Sequence, residues 1–338
     1  MALPSDGAGD AGLPIGSRDV LPAETAELRA AEARLHAAFE SFGYREVRTP
    51  ALELDAVIDR AEGREGDPAY RLFDDRGQVL TLRPDPTVPV ARLVATRLAD
   101  APDPVRVCYF GTAYRPPAAG RADEVEIRQA GVELVGAAGP GADAEVVSVL
   151  AAALRGSGLS AFRIVLGSVA VVAGALDGAG PGADGRAPFL AALRDRDHVA
   201  WRALVDASGA DGDRRQALAA LPTIRDEDSL EGLAARIPEA REAVDALLDT
   251  TAAVRRHGGA EHVALDLGVV HGRDYYSGIV IEAYADGVGA PIALGGRYDG
   301  LAARFGRDRA GAGVAVDVSR LHRATVAVSQ GGDRSRPA

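Results

Sequence analysis

The sequence predicts an α+β domain in which an antiparallel sheet is flanked by helices and interrupted by a helical insertion. Three observations lead there. Strand-like runs cluster on both sides of a long central stretch, at 79–83, 105–114, 126–136 and 162–168 before it and at 262–268, 278–285 and 291–296 after it. Most are joined by short turns, which favours antiparallel pairing, because a parallel crossover needs a dozen or more residues. The stretch between them, 175–258, carries Gly/Pro/Asp breaks and Leu/Ala/Arg helical patterns with no strand signal. Strands and helices that are segregated rather than alternating argue against a doubly wound sheet.

Taken in order, residues 1–12 are small, polar and acidic and are expected to be disordered, as are 328–338. Residues 23–42 place Leu28, Ala31, Leu35 and Phe39 at spacings of three and four and stop at Gly43, an amphipathic helix with a glycine end. YREVRT at 44–49 alternates and meets Pro50, which cannot donate to a ladder, so it reads as a strand. VLTLR, VRVCYFGTAY, EIRQAGVELVG and FRIVLGS follow as strands, and the segment at 142–158 reads as a helix with Asp143 as its N-cap and Gly156 near its end. PFLAALRDRDHVAWRALVD and REAVDALLDTTAAVRRHGG supply the inserted helices. HVALDLG, GIVIEAYA and PIALGG return to strand, and GAGVAVDVSRLHRATVAV closes the fold. One domain made of 13–174 and 259–327, split by an insertion at 175–258, is therefore expected. GAGVAV lacks the third glycine of a dinucleotide fingerprint.

Composition narrows the function classes. No run approaches the roughly 18 apolar residues of a membrane span, and the N-terminus has neither the basic start nor the apolar stretch of a signal peptide. A cytoplasmic protein without membrane contact is expected. A single cysteine, Cys108, excludes an internal disulfide framework and reads, within VRVCYFG, as a small buried hydrophobe. All 38 basic residues are arginine, against 49 acidic ones, and the net charge of -11 should repel nucleic acid. His198, His257, His262 and His322 show no ligand spacing with acidic partners, so neither metal nor cofactor is expected.

The segments GYREVRTPALE (43–53), TLRPDPT (81–87), RVCYFGTAYRP (106–116), RQAGVELVG (128–136), HGRDYYSGIVIEAY (271–284), LGGRYDGL (294–301) and GAGVAVDVSRL (311–321) carry a resemblance. In this order they resemble the catalytic domain of histidyl-tRNA synthetases over residues 13–327, with DYYSG and GGRYDGL as the most specific pieces. The resemblance implies a class II synthetase-like fold, with the helix and strand around residues 23–50 forming a homodimer interface.

Departures from that pattern are concentrated where the synthetases hold ATP. Arg115 is present, but Pro116, Pro117, Ala118 and Ala119 follow it in place of a glutamate and a basic loop. Asp317 stands at the glycine of the third motif and Ser319 at its glutamate, leaving Arg320 alone. His271 replaces the arginine that precedes the tyrosine pair. Adenylation needs positioned cations against developing negative charge, and losing one such group typically costs about 10²- to 10³-fold. Only 17 residues follow Leu321, so an anticodon-binding domain is not expected. This pattern is similar to the regulatory subunits of ATP phosphoribosyltransferase. The similarity implies a non-catalytic protein of histidine biosynthesis that assembles with a short catalytic subunit as a hetero-oligomer, supports its activity and transmits feedback by histidine. A truncated synthetase-like enzyme activating histidine with ATP is the alternative.

Free histidine offers an ammonium, a carboxylate and a ring with two nitrogens, so its site needs acceptors, a cation and partners for the ring. By resemblance, Asp85, Thr87 and Gln129 would hold the ammonium, with Asp85 standing where the family usually has glutamate. Glu133 and Tyr276 would meet the imidazole, Tyr275 would wall the pocket, Gly295 and Gly296 would let backbone approach the ring, and Arg115 with His271 would meet the carboxylate. Each has a plainer reading. Asp85 sits between two prolines as a turn residue would, Glu133 could face water from a strand, and adjacent tyrosines on a strand would point to opposite sides.

Overall fold

The computed structural model describes residues 12–62, 69–116, 124–180, 185–256, 260–270 and 275–333. Helix α1, Pro22–Ser41, opens the chain, and its buried stripe is the expected Leu28, Ala31, Leu35 and Phe39. β1 is only Arg45–Glu46. It pairs with β5, Val105–Tyr114, in parallel, so the strand expected over 44–49 is shorter and differently paired than alternation suggests. Next come β2 (Leu52–Leu54), α2 (Asp55–Glu62), β3 (Arg71–Phe73), β4 (Val79–Leu82) and α3 (Thr87–Arg97).

β6 (Glu126–Val135), α4 (Gly139–Gly156) and β7 (Phe162–Ser168) follow, then α5 (Val169–Ala179), capped by the Ser168 hydroxyl. Four more helices fill the insertion: α6 (Arg186–Arg194), α7 (His198–Ala207), α8 (Gly212–Ala220) and α9 (Glu227–Arg236), before α10 (Arg241–Val254). The chain returns through β8 (Val263–Leu265), β9 (Ile279–Ala285), β10 (Ala293–Arg297), β11 (Gly311–Asp317) and α11 (Val318–Asp333).

The large sheet has eight strands in the order β1-β5-β6-β11-β10-β9-β7-β8. Its interior pairs are antiparallel, including β6 with β11 and β7 with β9, which are distant in sequence, whereas the outermost pairs, β1 with β5 and β7 with β8, are parallel. The parallel pairs join segments separated by whole helices, which gives the chain enough length to cross over. A separate three-stranded sheet, β2-β4-β3, was not foreseen. Its register puts Leu52, Leu54, Leu72, Leu80 and Leu82 on one face, with Leu52 42% and Leu54 43% exposed.

The helical insertion does not stand apart. Phe189, Trp201, Leu218, Leu230 and Leu247 are buried in the same apolar cluster as Leu150 of α4 and Leu166 of β7. Asp143 is not the N-cap of α4. The helix starts at Gly139, with Ala138 in the cap position, and Asp143 lies inside it, where its carboxylate pairs with Arg297 at 2.7 Å and both side chains are almost fully buried. The reason is where the helix begins: starting four residues before Asp143, it carries that side chain past the free N–H groups of the first turn and onto the buried Arg297. The disorder expected over 1–12 lies, apart from residue 12, outside the described residues. At the other end α11 continues through Asp333, beyond the boundary expected at 328.

A site built over strand glycines

β5, β6, β11 and β10 form the middle of the sheet, and side chains of one strand lie over glycines of the next. Gly131 of β6 pairs with Tyr109 of β5, and a Cβ there would overlap the Tyr109 ring. Gly313 of β11 pairs with Glu133 of β6, and a Cβ there would overlap the Glu133 carboxylate. Gly296 of β10 pairs with Gly313, and its missing Cβ leaves room for the Tyr276 ring, which that atom would meet at 2.8 Å. At the far side the Arg83 guanidinium occupies the space over Gly111. Glycine within a strand weakens the ladder and is kept where another group must come close. Here it lets polar side chains lie flat across the sheet.

Glu133 is the centre. It is 1% exposed, so the reading of a strand residue facing water does not hold. Its Oε2 accepts a hydrogen bond from the Tyr298 hydroxyl. Burial pushes its carboxyl up to about 8, against the stabilising hydroxyls of Tyr298 and Thr87 and with the Asp85 charge adding to the rise. Gln129, two pleats away on the same face of β6, is also buried, and its Oε1 has no hydrogen-bond partner among the described residues. On the paired strand β5, Tyr109 is 3% exposed, and burial together with the Glu133 and Asp85 charges pushes its hydroxyl well up, against the Thr87 side chain that lowers it. A buried polar atom without a partner is uncommon and costly, so the Gln129 oxygen, on the same face as Glu133, marks a place for a polar ligand.

Asp85 closes one side. It is 5% exposed, accepts the Val88 N–H at 3.2 Å, and accepts the Tyr275 hydroxyl at 3.4 Å. It serves the turn into α3 and reaches the site as well, so the two readings of this residue are compatible. Thr87, half-buried, is the first residue of α3. Tyr275 and Tyr276 lie in the loop before β9, not on a strand, so alternation does not separate them. Their rings are 4.9 Å apart, and Tyr275 meets Tyr298 edge-on at 6.1 Å. Arg115 is half-buried and donates from Nε to the Pro84 carbonyl at 2.9 Å, which ties it to the segment holding Asp85. A Cβ on Gly295 would meet Val314 Cα of β11 at 2.7 Å, so this glycine is needed for strand-to-strand approach rather than for the Glu133 hollow. His271 lies outside the described residues.

Sequence reasoning missed four supporting residues. Tyr298 was overlooked although it lies in GGRYDGL. Arg83 is 8% exposed and donates to the Thr112 carbonyl at 2.8 Å and the Thr49 carbonyl at 2.9 Å, fastening the approach loops. Gly131 and Gly313 were legible in principle, because glycine amid β-branched residues signals close approach.

At the start of α11 a second polar cluster is closed on itself. Asp317, 8% exposed, accepts the Arg320 N–H at 2.9 Å and pairs with its guanidinium at 3.1 Å. Arg320 also donates to the Pro291 carbonyl at 2.9 Å. A glycine at 317 would leave that arginine without its carboxylate. Cys108 is buried and its thiol is pushed up to about 12 by desolvation, so it is poorly reactive. Among the described residues no helix is long and apolar enough to cross a membrane.

The sequence model of histidyl-tRNA synthetases matches residues 16–321. A protein of Symbiobacterium thermophilum described as an ATP phosphoribosyltransferase regulatory subunit is 44% identical over 91% of this chain and 78% of its own length. One of Anaeromyxobacter dehalogenans with the same description is 37% identical over 97% of this chain and 95% of its own. A crystal structure from Bacillus halodurans, described as an ATP phosphoribosyltransferase regulatory subunit/histidyl-tRNA synthetase, superposes with a TM-score of 0.87 at 29% identity, covering 94% of this chain and 83% of that one. The glycine-floored site, the class II sheet and these relatives agree: the chain belongs to the family of ATP phosphoribosyltransferase regulatory subunits, built on the histidyl-tRNA synthetase fold.

Proposed function

We propose that this chain is a non-catalytic subunit that binds free histidine around Glu133 and conveys its presence to a short-form ATP phosphoribosyltransferase catalytic subunit in the cytoplasm. One contrast carries the reading: the Gln129 oxygen is buried without a partner among the described residues, on the same sheet face as the buried Glu133, while Arg320 is already paired with Asp317. Histidine supplies the donors and acceptors that such a hollow lacks. Feedback then requires histidine to favour one assembly by differential affinity, typically worth about 1–3 kcal/mol of coupling. The approach of Asp85, Thr87 and Gln129 suits the ammonium, Glu133 and Tyr276 suit the ring, and Arg115 suits the carboxylate.

Self-association into a homodimer within the hetero-oligomer is part of the same proposal. The leucine face of the small sheet follows directly on the segment 23–50 and offers apolar surface for a second copy.

Calorimetry with histidine, on the chain alone and with its catalytic partner, tests the sensing half. No heat in either sample would remove it. Histidine-dependent pyrophosphate exchange tests the other half, and measurable exchange would restore the alternative of a histidine-activating enzyme.

A further inference from the structure

Binding of a ligand at Glu133 requires that its carboxylate be held in place by other groups of the chain. Glu133 has no arginine against it among its described hydrogen bonds and ion pairs. Its neighbours are the Tyr298 hydroxyl from the turn after β10, Thr87 at the start of α3, Asp85 before it, Tyr109 from β5 and, farther off, Tyr44 after α1. Among them, the Tyr298 side chain donates to the Glu133 carboxylate, and it is held at its own backbone as well. Its hydroxyl reaches Glu133 Oε2, and its N–H donates to the Gly311 carbonyl at 2.7 Å. The Tyr298 ring also lies over Gly311, where a Cβ would overlap it, and packs edge-on to Tyr275. Tyr298 is 3% exposed.

We propose that Tyr298 is a positioning residue of the site: its hydroxyl holds Oε2 of Glu133 flat over Gly313 and so fixes which acceptor directions of the carboxylate remain for the N–H of an incoming imidazole. An ionised carboxylate has about four acceptor positions. A donor locked by packing on one oxygen leaves the others aimed in a defined direction, which is how a supporting contact confers selectivity on a binding group. The same bond stabilises the ionised form of a carboxyl that burial drives toward neutrality, so Tyr298 also sets the pH at which Glu133 ionises and accepts at both oxygens.

The proposal rests on the histidine reading for its ligand but has a ligand-free consequence. In the full-length chain, the Glu133 carboxyl carbon is followed by ¹³C NMR against pH, with Glu133→Gln to assign it. Tyr298→Phe keeps the ring and its packing. It should raise the Glu133 midpoint by roughly one to two pH units, the size expected for one hydrogen bond to a charged group. It should also weaken histidine about tenfold at pH 7 and move the pH at which affinity levels off upward with the midpoint. An unchanged midpoint in a folded Tyr298→Phe overturns the proposal, since a merely packing tyrosine would not move it. If that variant does not fold, the ring Cζ of Tyr298 in the unsubstituted chain decides: it should shift with the Glu133 midpoint, and an independent midpoint overturns the coupling. Absence of histidine binding by the unsubstituted chain would refute the ligand reading while the titration still judges Tyr298.

Discussion

Asp317 and Arg320 form a closed unit at the start of α11: the carboxylate accepts the arginine N–H at 2.9 Å and pairs with its guanidinium at 3.1 Å. One side chain thus caps a helix and pairs with the guanidinium three residues on. Asp317→Ala should destabilise the chain by about 1 kcal/mol, the usual size of a lost cap, whereas Asp317→Asn should keep most of that stability. Denaturant midpoints of the two variants compare them directly.

Glu133 makes stability depend on pH with a definite sign. Its carboxyl titrates near 8 when folded, whereas the ordinary value is 4.5. Between those values the folded chain binds the extra proton, so this group makes stability fall as pH rises through the window. Glu133→Gln removes that contribution. The stability difference, Gln variant minus parent, should grow across the window by up to about 1 kcal/mol per pH unit, read from urea titrations at pH 5, 6, 7 and 8.

Gly313→Ala should disable the site with the sheet retained. The added Cβ overlaps the Glu133 carboxylate and would come within 2.6 Å of the Val132 carbonyl oxygen, so Glu133 has to leave its place. Histidine affinity should fall at least about tenfold, the loss of one or more polar contacts, while far-UV circular dichroism stays native. Unaltered affinity would mean that Glu133 does not need its position over the glycine.

The buried pair Asp143–Arg297 joins α4 to β10 at 2.7 Å. Removing one partner leaves a buried charge uncompensated, so Asp143→Ala should cost about 3–5 kcal/mol. Thermal denaturation would show it as a large fall in Tm. A change near zero would indicate that water or Asp299, 2.7 Å from the same guanidinium, takes over.

Leu52→Asp with Leu54→Asp places two charges on the leucine face of the small sheet. Sedimentation velocity should show a shift from dimer to monomer, with histidine binding by the monomer retained. An unchanged sedimentation coefficient would direct the homodimer to another surface.

The sequence by itself determined the long strands, the helical character of the insertion and the buried stripe of α1, because alternation and 3.6-residue periodicity are local properties. VRVCYFGTAY became β5 over its whole length for that reason. Local patterns could not show that residues 45–46 pair in parallel with β5, since pairing direction depends on how distant segments meet. They assigned Asp143 to a helix cap because nothing in its neighbourhood reveals Arg297, 154 residues away. Nor could they join Tyr298 to Glu133 across 165 positions. Only the tertiary structure decides such pairs, because burial, which sets both the strength of a contact and the charge of a carboxyl, is a property of the packed chain and not of any segment within it.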